Sequence, residues 1–157
     1  MTIKDAFPGQ PFTRADFEKA EKVLLRDGRL FNAVVTRVTL AGRTWTVKDF
    51  STRPFFVRPF GRFLLARELK AAHYVADIDG FAAEAFRLDE NAVALTFIPG
   101  KTLAELPREE VTPAFLICLE ELIKSMHRAG IVHLDIRSNG NVLMRPDKTP
   151  AVIDFQS

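Results

Sequence analysis

Apolar residues change their spacing several times along this chain, and each change predicts a change of element. After Thr13, a favourable helix N-cap, Phe17, Ala20, Val23 and Leu24 recur at helical intervals, and Asp27-Gly28 is a stop signal. A helix is therefore expected from Thr13 to about Arg26. Leu30 to Leu40 is instead rich in Val and Thr, Ala41-Gly42 is a turn signal, and Thr44 to Phe50 has strand character, which predicts a hairpin. Ser51 to Pro59 carries two prolines and reads as a loop, and from about Phe60 to Ala76 the spacing becomes helical again. Phe81 to Leu88 and Ala92 to Ile98 predict a second strand pair turning at Asp89-Glu90-Asn91. Pro99-Gly100 then breaks the chain and marks a domain boundary.

The clearest helix opens at Thr112-Pro113, a preferred N-cap followed by a residue suited to the first helical position. Phe115, Leu119, Leu122, Ile123 and Met126 form its apolar stripe, and Gly130 is placed to end it. Cys118 lies in the same pattern and is expected to act as a small hydrophobe. Beyond the helix come Ile131 to Leu134, a polar loop, the short strand Val142 to Met144, a Pro-Asp-Lys turn and the strand Ala151 to Phe155. The pattern as a whole is α+β.

Composition alters this picture little. The chain of 157 residues is long enough for one compact domain or two small ones. Fourteen Phe against one Tyr and one Trp point to a phenylalanine-filled core. A net charge of +2 with no strong basic cluster argues against nucleic acid as a partner. Arg53, Arg58, Arg62 and Arg67 are spread through a Phe- and Pro-rich segment. They read as a solvated surface, with a small anion-binding patch as the alternative. A single cysteine excludes an internal disulfide, and Met1 to Pro8 has no signal-peptide layout. With no run of about 18 apolar residues, a cytoplasmic location without a transmembrane segment is expected.

Two sets of polar residues stand out. His133-Leu134-Asp135 precedes the loop Arg137-Ser138-Asn139-Gly140-Asn141, and Val142-Leu143-Met144 leads on to Val152-Ile153-Asp154-Phe155. Phosphoryl transfer needs such an inventory: a carboxylate to align the attacking hydroxyl and accept its proton, and an amide with a second carboxylate to hold Mg2+ on the phosphates. The second set is Lys48, at the end of a strand, and Glu68, on the next helix. At about 100° per residue, Glu68 falls about 40° from Leu64, inside the arc of Leu65, Leu69, Ala72 and Val75. A carboxylate on an apolar face asks for a buried cationic partner.

At these residues the chain resembles the protein-kinase-like superfamily. Met126 to Asp135 is similar to the helix end and catalytic loop of kinases, Asn141-Val142-Leu143-Met144 to their metal-site Asn and strand, and Ile153-Asp154-Phe155 to the start of their Asp-Phe-Gly segment. The resemblance implies a two-lobed fold, with an N-lobe over 1–98 and a hinge and partial C-lobe over 99–157. It implies ATP and Mg2+ as cofactors and a hydroxyl-bearing acceptor, whether protein, sugar or glycolipid. It assigns Asp135 as catalytic base, Lys48 to the nucleotide phosphates with Glu68 orienting it, and Asn141 and Asp154 as metal ligands. Arg137 would neutralise transferring charge, and Phe97 and Ile98 would lie in the linker against adenine.

Three departures qualify the pattern. Asn139 lies one residue too early and Asn141 one too late for the kinase spacing, and Asn141 is favoured because it directly precedes the strand. Only Gly28 stands where a Gly-rich loop would lie, and Leu134 replaces the Arg that precedes the catalytic Asp in regulated kinases. Together these features look like the bacterial branch of RIO-type, lipopolysaccharide-core and aminoglycoside-type kinases. Kinase-like domains continue past this Asp, so the chain is expected to be a fragment or a minimal member, and a nucleotide-binding module without transfer is the rival reading.

Overall fold

The computed structural model describes residues 10–155, and the N-terminal stretch Met1 to Pro8 lies outside them. The chain divides into two compact units, one up to Leu69 together with Glu84–Phe97, the other Lys70–Ala83 together with Ile98 onward.

The first unit is built on an antiparallel sheet of β1 (Lys22–Arg26), β2 (Val34–Leu40), β3 (Arg43–Asp49), β4 (Ala85–Asp89) and β5 (Ala92–Thr96), in the order β1-β2-β3-β5-β4. Ala41 and Gly42 both take positive φ, 53° and 73°, at the β2–β3 turn, the conformation that a tight hairpin of native twist requires. Alternation sets the faces of β3. Trp45 and Val47 point into a core with Phe12, Phe17, Val38, Leu88, Ala92 and Ala94, whereas Thr46 and Lys48 point the other way. Phe12, Trp45 and Phe86 meet edge-to-face at 5.1 to 5.6 Å.

The first helix is shorter than the sequence predicts. α1 (Arg14–Lys19) is capped by Thr13, whose hydroxyl accepts from Asp16 N, and it ends at Ala20 in extended conformation. Lys22–Arg26 is strand β1, paired with β2 through Lys22↔Val38, Val23↔Arg37 and Leu24↔Thr36. The edge of β2 offers backbone partners that local periodicity cannot see, and Val23 and Leu24 are exposed rather than buried. Likewise Leu30 to Ala33 remains outside β2.

Arg14 ties α1 to the sheet. Its Nε and Nη2 donate to Asp89 at 2.6 and 3.0 Å, and Nη1 and Nη2 donate to Asp49 at 2.6 and 3.1 Å. Burial pulls the guanidinium pKa down, and the bonds to Asp89 and Asp49 more than reverse this, leaving it above its ordinary value.

α2 (Arg58–Val75) follows two turns, and its residues through Leu69 belong to the first unit. Gly61 sits directly against Phe50, whose ring is fully buried. A Cβ there would lie 2.4 Å from Phe50 Cγ, well inside contact distance. Gly61→Ala therefore sets a helix-propensity gain of about 1 kcal/mol against an overpacking cost of about 1–3 kcal/mol. Net destabilisation, read as a lower urea midpoint at unchanged m-value, is the expected result.

In the second unit, β6 (Lys101–Thr102), β7 (Val142–Met144) and β8 (Pro150–Val152) form an antiparallel sheet in that order, and α3 (Pro113–Arg128) packs on β8. β8 is thus shorter than the expected strand to Phe155. Thr112 Oγ1 accepts from Phe115 N at 3.1 Å to cap α3. Its end is closed by Gly130 at φ 85°, with Gly130 N donating to His127 O and Ile131 N to Met126 O. Val75, Phe81, Leu122, Met126 and Val152 form one core cluster, and Phe115, Val142 and Met144 another. Cys118, expected to pack as a small hydrophobe, is exposed along with Leu116 and Ile117, because the buried stripe of α3 is narrower than its apolar run. Among the described residues, no helix is long and apolar enough to cross a membrane.

Candidate active site

In the first unit the candidate residues Lys48 and Glu68 meet at the middle of the sheet. Lys48 on β3 lies between Val35 of β2 and Val93 of β5, on the face opposite Val47. Its Nζ donates to Glu68 Oε1 of α2, and the two residues are only 5% and 1% exposed. The cation that the helical position of Glu68 called for is therefore present. Two buried charges hold each other in register, and neither could be withdrawn from water alone without a cost of several kcal/mol.

Gly28 lies in the connection between β1 and β2, at φ +69°. That loop is tied down by a distant side chain. Arg53 donates through Nε to Asn32 O at 2.9 Å and through Nη2 to the Asp27 carbonyl, so one side chain grips both ends of the connection. The partners are more than 20 residues away along the chain, and no local signal could have found them. Phe97, half-buried, donates its N–H to Thr44 O at 3.1 Å and lies under the Arg37 guanidinium.

In the second unit a hydrogen-bonded set organises the loop after α3. Buried His133 accepts at Nδ1 from Asp135 N at 3.1 Å, and its Nε2 lies 3.0 Å from Ile153 O. The first bond puts the ring proton on Nε2, which donates to that carbonyl. Asn141 Nδ2 donates to the Asp135 carbonyl at 3.1 Å and to Asp135 Oδ2 at 3.2 Å, and Ile153 N donates to Asn141 O at 3.0 Å. His133, Asp135, Asn141 and the residue before Asp154 are thus knit together. Asn139 is exposed and Asn141 buried, so the structure distinguishes two amides that spacing left close to equivalent. Turn bonds from Ser138 N to Asp135 O and from Asn141 N to Ser138 O shape the loop between them.

Asp135 and Arg137 are exposed, Ile98 and Asp154 half-buried. Asp154 adopts φ +69°, a left-handed backbone that costs a non-glycine residue energy and that clusters at functional sites. Phe155, next to it, stacks on Phe81 at 5.7 Å and tilts against His133 at 5.2 Å. The Phe81 contact is a support the sequence did not disclose. Among the described residues no cluster of three or more His, Cys, Asp or Glu could cage a metal alone. The Asn141 amide and Asp154 carboxylate are instead the kind of sparse oxygen donor set that suits Mg2+ carried on phosphates.

These elements, a five-stranded antiparallel sheet with a lysine–glutamate pair to the following helix and a His-x-Asp loop before a small sheet, have the fold of protein kinases. The chain is similar to the Rio2 kinase of Chaetomium thermophilum, solved as an ADP/Mg2+-phosphoaspartate complex. The TM-score is 0.67 at 14% identity, covering 90% of this chain and 50% of that one. It is also similar to Rad53 1-466 in complex with AMP-PNP, with a TM-score of 0.64 at 17% identity, covering 90% of this chain and 40% of that one. The chain thus spans half or less of each structure, and at these identities the likeness is one of fold. No family model matches the chain, and no curated protein matches it in sequence.

Proposed function

We propose that this chain is an ATP- and Mg2+-dependent phosphotransferase that moves the γ-phosphoryl group to a hydroxyl of a protein, sugar or glycolipid. The observation that carries the reading is the buried Lys48–Glu68 pair. An ammonium held at mid-sheet by a fully buried carboxylate is an expensive arrangement with a clear use, since it fixes a cation for the α- and β-phosphates. Asp135 would align the acceptor and take its proton as the γ-phosphorus bonds to the hydroxyl oxygen and ADP departs. Arg137 would offset the transferring charge. With Asn141 Nδ2 committed to Asp135, its amide oxygen is the atom it can offer a cation, beside the Asp154 carboxylate. Bound Mg2+ would neutralise charge on the β- and γ-oxygens.

Gly28 would lie over the phosphates in a loop that Arg53 restrains, and the Phe97-Ile98 backbone would meet adenine. The absence of a Gly-rich loop and Leu134 before Asp135 support a reading as a member of the bacterial kinase-like branch, which would act in the ATP-containing cytoplasm.

Thermal-shift titration with Mg-ATP tests this. A ligand at 100-fold over its Kd stabilises by about 2.7 kcal/mol. Wild type is expected to gain a melting shift that needs both Mg2+ and nucleotide, and Asp154→Ala to lose most of it. Transfer of labelled phosphate to sugar, lipid or protein pools then identifies the acceptor. A shift without transfer to any pool assigns a nucleotide-binding module, and no shift at millimolar Mg-ATP removes the proposal altogether.

A further inference from the structure

The first unit carries an aromatic surface for which phosphoryl transfer has no use. Phe55 is 80% exposed and Phe63 58%, and Phe56 and Phe60 stand in solvent beside them, in the turn before α2 and along its first half. Phe31, from the β1–β2 connection, meets Phe60 edge-to-face at 6.2 Å, so the patch extends beyond one element. On α2, Phe60, Phe63 and Arg67 lie opposite buried Leu65 and Glu68. Single exposed apolar residues are ordinary, but a run of neighbouring phenyl rings with no polar atom of their own marks a surface meant to be covered.

Charge says by what. The cations between Ser51 and Leu69 are Arg53, Arg58, Arg62 and Arg67, and the one acid there, Glu68, is withdrawn into its pair with Lys48. Among the described residues, acids from neighbouring segments pair with two of these arginines: Asp27 meets Arg53, and Glu90 meets Arg62 at 3.5 Å. Arg58 donates to the Arg53 carbonyl, and Arg67 lies over the Phe63 ring at 5.8 Å. Neither contact cancels a positive charge.

We propose that this face docks on an anionic phospholipid bilayer, its Phe side chains entering the boundary between headgroups and acyl chains while Arg58 and Arg67 meet lipid phosphates. Rings that project, as Phe55 does, enter a fluid interface one at a time, whereas a folded protein partner must supply a pocket for each. Long arginine stems flanking apolar rings are the composition of segments that lie on a membrane, and no described helix could span one.

The inference is independent of the phosphotransferase reading, and its test uses no nucleotide. The 157-residue chain is sedimented with vesicles of mixed phosphatidylglycerol and phosphatidylcholine, and with phosphatidylcholine alone. Binding to the mixed vesicles is expected to be at least about tenfold tighter and to weaken with salt. Phe55→Ser/Phe56→Ser and Arg67→Glu should each cut it about tenfold with the melting temperature unchanged, since all three side chains are exposed. No binding to mixed vesicles, equal binding to both vesicle types, or variants that bind like wild type would overturn the proposal. Self-association abolished by the double Phe variant, without vesicle binding, would assign the face to a second copy of the chain and overturn it equally.

Discussion

Asp135→Ala should lower phosphoryl transfer by about 10²- to 10⁴-fold while Mg-ATP affinity stays within about twofold. Asp135 is exposed, and its carboxylate takes only one of the two hydrogen bonds that buried Asn141 donates to this residue. Asn141 keeps its other bond, to the Asp135 carbonyl, and the loop therefore keeps its shape. The loss then reports chemistry rather than folding. Asp135→Asn is the sharper variant, because it preserves shape and removes only the basic oxygen. A comparable loss in Asn and Ala, with unchanged thermal shift by Mg-ATP, is the expected pattern. Transfer by Asp135→Asn at the wild-type rate would eliminate this residue as the base.

Glu68→Ala is expected to cost about 3–5 kcal/mol of folding stability, because it removes one member of a buried ion pair. Lys48→Ala should cost a similar amount for the same reason. Lys48→Met combined with Glu68→Leu replaces the pair by apolar groups of similar volume and should recover most of the loss, since two desolvated charges roughly offset their own attraction. Urea midpoints at constant m-value measure all four proteins. The double variant also separates structure from function. It should be folded yet give no melting shift with Mg-ATP, whereas a shift equal to wild type would remove Lys48 from the proposed site. A cost below about 1 kcal/mol for Glu68→Ala would mean that the pair is solvated in practice.

Several elements were legible because their signals are local. Thr112-Pro113 and Gly130 bracket α3 as N-cap, first-turn proline and left-handed terminator, each set by its own backbone geometry. Ala41-Gly42 marked the β2–β3 turn for the same reason. Glu68 was legible through the 3.6-residue period alone. Once its neighbours on the wheel were apolar, the cost of burying a carboxylate required a cation, and Lys48 supplies it.

The misreadings share one cause. Lys22–Arg26 fits a helical apolar period and is nonetheless strand β1, since its pairing partner Thr36–Val38 lies more than ten residues on. Cys118 shares an apolar run but not the buried stripe.

The sequence by itself determined the α+β order of elements, the caps, and that Glu68 needs a buried cation, because those follow from period, turn chemistry and desolvation within a short stretch. Only the tertiary structure decided that Asn141 and not Asn139 holds Asp135, that Arg53 closes the β1–β2 loop, and that the rings from Phe55 to Phe63 face solvent. Each of these depends on partners, or their lack, at distant positions in the chain, and hydrogen bonds and burial across such separations leave no periodic trace in a single sequence.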